Sequence, residues 1–205
     1  MSSFLEPQLL TLAVQAGGES LRMGQDKALA LFRGRPLILR VLERLAGLAD
    51  ETLVTTNHPE NLRSVLGLPL IPDLLPGHGA LGGLYTALSA ARHPLVAVVA
   101  CDMPFANAGL LAAERDWLEA DLADLVVPRT PLGTEPFHAV YRRETCLPLI
   151  LEALQRGHRR VDSWFGQARV RYVSPEDIAP FDPGGLAFRN INTPEELKAA
   201  EERNE

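Results

Sequence analysis

Residues 15–27 read Gln15-Ala16-Gly17-Gly18-Glu19-Ser20-Leu21-Arg22-Met23-Gly24-Gln25-Asp26-Lys27, a run suited to holding a phosphate chain. Adjacent glycines let the backbone bend tightly and bring bare N–H groups against an anion. Arg22 and Lys27 add positive charge. The glycine and lysine spacings match neither GxGxxG nor the GxxxxGK[ST] P-loop. Of the 20 cationic side chains only Lys27 and Lys198 are lysines. A chain that otherwise uses arginine has set a compact point charge in this loop, which suits a phosphate oxygen. The plainer reading, a strand-to-helix loop with solvated charges, gives no reason for that lysine.

Asp102 follows the apolar run Leu95–Cys101 and is held by Pro104, so its carboxylate is expected at the edge of a sheet. A hard cation such as Mg²⁺ needs few protein carboxylates when phosphates and waters complete its shell. A strand-terminal aspartate also caps turns, and Asp102 alone does not separate the two roles. Near the C-terminus stands Asn190-Ile191-Asn192-Thr193-Pro194-Glu195. Thr193 is a good helix N-cap and Pro194 a good first helical residue. Asn190 and Asn192 read as alternating along a strand end, one of them facing the site. The five histidines have no metal-ligand spacing and read as surface or core residues, His138 being the least clear-cut. Cys101 and Cys146 make no CxxC pair, and Cys101 reads as a buried thiol.

The elements that must position these residues alternate. Leu9–Ala16 reads as a buried strand, a helix opens at Pro36 and closes at Gly47, and Thr52–Thr56 is a second strand ending at Asn57. A short helix over 60–66 and a third strand over 68–72 follow. The breaker-rich loop from Pro76 precedes Gly82-Gly83 and a helix to about Ala91. Leu95–Cys101 is the clearest strand. Beyond it, strands are expected at Asp124–Pro128, Phe137–Arg142 and Arg169–Val173, with helices at Leu147–Leu154 and Pro194–Glu202. Strand–helix alternation at short spacing implies βαβ units, a mostly parallel sheet and helices on both faces. In such sheets ligands bind beyond the carboxyl ends of the strands, where Gly17–Lys27, Asp73–Gly83 and Asp102–Pro104 all fall.

The chain of 205 residues is close to one domain at roughly 150 residues each, and one α/β domain over 1–205 is expected. Hydrophobic content of 46% and charge of 22% argue against disorder. A net charge of −6 argues against a broad nucleic-acid footprint. No apolar run approaches the roughly 20 residues that cross a bilayer. The segment Leu9–Val14 lacks the basic flank of a signal peptide, Arg22 being the first cationic residue. A cytoplasmic protein without nucleic-acid or membrane partners is expected.

The run A-G-G-E-S-L-R-M-G-Q-D-K-A-L, then C-D-M-P, then N-I-N-T-P-E-E-L resembles the molybdenum cofactor guanylyltransferases, nucleotidyltransferases with a Rossmann-like, nucleotide-diphospho-sugar transferase-like fold. The resemblance extends in order from Leu12 to Leu197. It implies transfer of GMP from GTP to molybdopterin carrying molybdenum, with Mg²⁺ and release of diphosphate. It implies as partners other cofactor-biosynthesis proteins and molybdoenzymes. Carried over by position, Gln15, Ala16, Gly17 and Gly18 would contact GTP, the first three through backbone near the base. Arg22 and Lys27 would reach the phosphates, and Asn57 and Asp73 match further GTP contacts. Asp102 matches a residue that binds both GTP and Mg²⁺, and Asn192 one that faces the metal or the second substrate. The stretch Gly157–Val161 matches a region where the pterin phosphate would bind. Three positions depart from the family pattern: Gln15 stands for a usual leucine, Leu21 for a second arginine and Ala80 for a frequent proline.

The catalytic set implied is Arg22, Lys27 and Asp102. The attacking phosphate is already an anion, so catalysis of this kind is positioning and charge neutralisation. Two other readings remain open at this stage. One is a nucleotidyltransferase of the same fold that moves CMP to molybdopterin or a nucleotide to a sugar phosphate. The other is a nucleotide-binding partner without catalysis.

Overall fold

The computed structural model describes residues 9–17 and 26–202. In chain order the elements are β1 (Leu10–Gln15), β2 (Leu31–Phe32), β3 (Arg35–Pro36), α1 (Leu37–Arg44), β4 (Glu51–Thr55), α2 (Pro59–Leu62), β5 (Leu70–Ile71), α3 (Gly79–Ala90), β6 (Leu95–Ala100) and α4 (Ala108–Ala120). There follow β7 (Leu125–Thr130), β8 (Gly133–Thr134), β9 (His138–Arg142), α5 (Arg143–Gln155), β10 (Val170–Val173), α6 (Pro175–Ile178) and α7 (Pro194–Glu201). The main sheet has the order β5-β4-β1-β6-β9-β7-β10, with β8 added on β7. β9 runs antiparallel to both its neighbours, while β1 is parallel to β4 and β6.

Helices cover both faces, and for that reason the central strands β1 and β6 are buried almost throughout, β6 being apolar at every position. Leu10, Leu12 and Val14 of β1 pack on one face with Ile38 and Val41 of α1 and Leu110 and Leu111 of α4. Ala13 of the same strand and Val96 and Val98 of β6 pack on the other face with Leu84 and Leu88 of α3 and Ile150 of α5. A third cluster joins Phe32 and Leu37 to Phe105, Ile191 and Ala200. It fastens the C-terminal segment to the loop that follows β6.

Several boundaries differ from those the sequence suggests. Pro36 does not begin α1 as its first helical residue; it is the N-cap and pairs with Leu31 in a small hairpin. That hairpin turns on Arg33 and Gly34, both at positive φ. Gly47 lies three residues past Arg44, beyond a short turn, in the left-handed region. Gly82 and Gly83 do not precede α3 but lie inside it, because the helix starts at Gly79. The segment 190–192 is not a strand end. Two of its amides are used elsewhere, Ile191 N–H on the Asp102 carbonyl (2.9 Å) and Asn192 N–H on the Glu196 carboxylate (2.6 Å), so no ladder of successive bonds forms. The helix α4, capped by the Asn107 side chain on Leu110 N–H (2.9 Å), was not expected from periodicity.

Candidate active site

β1 is the strand at which the chain order reverses, with β4 on one side and β6 on the other. Ligand crevices in open α/β sheets form at such switch points. Gln15, the last residue of β1, is level with Thr55 of β4 and Ala100 of β6. Ala16-Gly17, Thr56-Asn57 and Cys101-Asp102 therefore leave the sheet side by side. Gly18 and Arg22 lie outside the described residues.

Lys27 opens a short 3₁₀ turn whose start is capped by the Asp26 carboxylate on Ala28 N–H (3.1 Å). Its ammonium forms an ion pair with Asp102 Oδ2 and donates to Asn192 Oδ1 at 2.6 Å. Both ionic side chains are largely withdrawn from water, 13% and 15% exposed. The Ile191–Asp102 backbone bond fixes the last two partners relative to each other. Three segments far apart in sequence thus meet at one cation. Asn190 and Asn192 both border this hollow of about 270 Å³, together with Gln15, Gly17, Lys27 and Asp102.

A second hollow of about 400 Å³ shares Gln15, Gly17 and Ala80 with the first and extends to Thr55, Asn57, Asp73 and Arg159. Asp73 is set by Thr86 of α3, whose hydroxyl donates to Asp73 Oδ1 (2.7 Å) and accepts from Leu74 N–H (3.0 Å). Gly82 is required beneath this loop, since a Cβ there would stand 2.8 Å from His78 Cβ and 3.1 Å from Leu75 O. Gly83 faces Gln15: a Cβ at 83 would lie 3.2 Å from Gln15 Oε1. The Gln15 side chain, as well as its backbone, therefore forms part of the cleft. Arg159 Nη1 donates to Gly77 O (2.8 Å), so the Gly157–Val161 stretch reaches the Asn57–Asp73 arm. Arg160 pairs instead with Asp162 (2.9 Å). Thr86 was not singled out from sequence; its only signal was nearness to the Asp73–Gly83 segment.

Behind the site lies a buried pair. His138 Nδ1 is 3.3 Å from Glu114 Oε1, and Asn107 N–H donates to His138 Nε2 at 3.2 Å. The ring thus accepts at Nε2 and donates at Nδ1. Burial pushes the Glu114 carboxyl up to about 7, against the opposing influence of His138. Cys101 and Cys146 are buried free thiols, as expected. A further hollow, about 690 Å³ off the end of β7, is walled by Leu132, Ile178, Leu186 and Phe188 and bordered by Arg129, Glu135, Asp182 and Arg189. Asp182 there bonds Leu186 N–H and Ala187 N–H.

The residues present suit a divalent cation bound together with a substrate. Asp102 Oδ1 is buried and has no hydrogen-bond partner, an arrangement costly enough to call for one. The donors at hand, a carboxylate and the Asn192 amide oxygen, are hard oxygens. No group of three His, Cys, Asp or Glu side chains converges among the described residues, so substrate phosphates and water would supply the other ligands.

A mostly parallel sheet with Gly17, a lysine and a carboxylate at its switch point is suited to a nucleotide, and similarity to known proteins places the chain in the nucleotidyltransferase class. A family model of a MobA-like NTP transferase domain matches residues 12–170. The chain is 34% identical over 193 residues to the molybdenum cofactor guanylyltransferase of Desulfosudis oleivorans, covering 94% of each. It is 37% identical over 191 residues to a probable molybdenum cofactor guanylyltransferase of Pelotomaculum thermopropionicum, covering 93% of this chain and 91% of that one. The crystal structure of molybdopterin-guanine dinucleotide biosynthesis protein A from Archaeoglobus fulgidus superposes with a TM-score of 0.83 at 30% identity, covering 94% and 97%. The chain belongs to the MobA-like NTP transferase family, with the molybdenum cofactor guanylyltransferases among its relatives, and is an enzyme of that type.

Proposed function

We propose that this enzyme transfers GMP from GTP to the phosphate of molybdopterin carrying molybdenum, forming the guanine dinucleotide cofactor and releasing diphosphate. The observation that carries the reading is the meeting of Lys27, Asp102 and Asn192 beside a cleft bordered by Gln15, Asn57 and Asp73. Relatives named for the guanylyl reaction support the choice of base and acceptor.

In the reaction an acceptor phosphate oxygen forms a bond to the α-phosphorus of GTP, and the bond from that phosphorus to the α–β bridging oxygen breaks. Diphosphate leaves with that electron pair. No proton need be removed from the nucleophile, so the barrier is repulsion between anions and their alignment. Lys27 neutralises charge on the departing diphosphate, and Arg22, five residues earlier in the sequence, is assigned the same role by the resemblance. Asp102 and Asn192 would hold the divalent cation, Mg²⁺ in this reading. When bound, that ion supplies Lewis-acid neutralisation of phosphate charge. Gln15, Ala16, Gly17, Gly18, Asn57 and Asp73 hold the nucleoside end. A substrate supply of this kind suits a cytoplasmic enzyme, and no helix among the described residues is long and apolar enough to cross a membrane.

The test is diphosphate release from the purified enzyme with MgCl₂, molybdate, molybdopterin and each of the four nucleoside triphosphates in turn. Release with GTP alone, lost when molybdopterin is omitted, is expected. Release with CTP instead would correct the base and keep the chemistry. GTP binding without release from any nucleotide would favour a different acceptor or a binding role.

A further inference from the structure

The Gln15 side chain is a polar group at the end of β1 to which the proposed reaction gives no specific contact. The residue is only 8% exposed, and its Nε2 is buried without a hydrogen-bond partner. An amide N–H withdrawn from water and left unpaired destabilises the free protein, and an apolar side chain of similar size would avoid that cost. Gln15 borders both arms of the cleft. It shares the α3 side of the sheet with Ala13, two residues earlier, and α3 presents Gly83 to it. Any larger residue at 83 would press on the carboxamide, Oε1 being 3.2 Å from the position of a Cβ.

We infer that the Gln15 carboxamide reads the nucleoside part of the substrate, its free N–H donating to an acceptor on the base or ribose. This rests on the reading that the cleft holds a nucleotide. The neighbours favour the nucleoside over the phosphates. Thr55, Asn57 and Asp73 line the arm into which Gln15 extends, and the carboxylate there repels phosphate. Arg159, the cation of that arm, is bonded to the Gly77 carbonyl. Lys27, the ammonium that the proposed reaction sets on the phosphates, stands in the other arm, paired there with Asp102. A buried donor matched to one substrate acceptor discriminates strongly, because a ligand lacking that acceptor leaves the donor unpaired.

The experiment compares wild type with Gln15→Leu, and with Gln15→Met should the first not fold, by calorimetric titration with each nucleoside triphosphate and by thermal melting. We expect the substitution to weaken the preferred nucleotide at least tenfold, with a melting temperature of the free protein equal to or above wild type. Unchanged affinity within twofold, or a lower melting temperature with unchanged affinity, overturns the inference. Two analogues locate the acceptor. If the loss disappears with 2-aminopurine ribonucleoside triphosphate, the contact is to the base oxygen; if it disappears with 2′-deoxy-GTP, it is to the ribose. Equal loss with both analogues points to a ring nitrogen or another ribose oxygen, whereas an equal loss with inorganic tripolyphosphate, which has no nucleoside, overturns the nucleoside assignment. A wild-type protein that prefers CTP would overturn the guanine reading while still testing Gln15 with CTP.

Discussion

Lys27 and Asp102, 75 positions apart in the chain, form an ion pair at the carboxyl end of the central strands, and the same ammonium bonds Asn192. The ammonium takes Asp102 Oδ2 and Asn192 Oδ1 and leaves Asp102 Oδ1 without a hydrogen-bond partner. Asp102→Ala is expected to abolish nucleotidyl transfer while the circular dichroism spectrum stays that of the wild type. Lys27→Met should lower kcat about 100-fold, the scale for losing one aimed donor in a preorganised site, and raise the KM for GTP as well. Steady-state kinetics with melting curves check both. Normal turnover by a folded Asp102→Ala protein would refute its role.

Glu114 makes stability depend on pH. Its carboxyl, raised by burial to about 7 in the fold from 4.5, holds a proton that the unfolded chain has released between those values. The native state then binds more protons than the unfolded one, so stability falls as pH rises through this window. The full difference is about 3 kcal/mol above pH 7, from about 1.4 kcal/mol for each pH unit of separation. Glu114→Gln removes the titration. Its melting temperature should match wild type near pH 4.5 and exceed it by several degrees at pH 8. Parallel profiles for the two proteins would contradict this.

The loop carrying Asp73 rests on α3. Gly82→Ala brings a methyl within 2.8 Å of His78 Cβ and should destabilise by about 1–3 kcal/mol. Thr86→Val removes the hydroxyl that bonds Asp73 and Leu74, at a similar cost of about 1–3 kcal/mol, and should also weaken GTP. Urea unfolding and GTP titration separate the two effects: Thr86→Val should lose affinity in excess of any fraction unfolded.

The parts readable from sequence are those fixed by short-range chemistry. β1 shows as a mostly apolar run and β6 as an unbroken one because both faces are covered, and Thr193-Pro194 signals the start of α7, where Thr193 and Glu196 form a capping box. Lys27 and Asp102 were legible because each adjoins a strand end. The hairpin of β2 and β3 was not, since two-residue strands carry no period. α4 mixes alanines and acidic residues around its circumference, which blurs the 3.6-residue signal even though Asn107 marks its cap. The partnership of Lys27 with Asn192, 165 positions away, arises only when Ile191 packs between Phe105 and α7. The asparagines' shared orientation was misjudged because the segment was read as a strand; both line the cleft. The Gln15 side chain became part of the site only once Gly83 was seen inside α3, facing it.

The most direct test of the central claim is the fate of radiolabelled GTP incubated with the enzyme, MgCl₂, molybdate and molybdopterin. With label on the α-phosphate, radioactivity should move into the pterin product; with label on the γ-phosphate, it should be released as diphosphate. Appearance of the γ-label in the pterin product, or no transfer of either label by protein that binds GTP, would contradict nucleotidyl transfer to this acceptor.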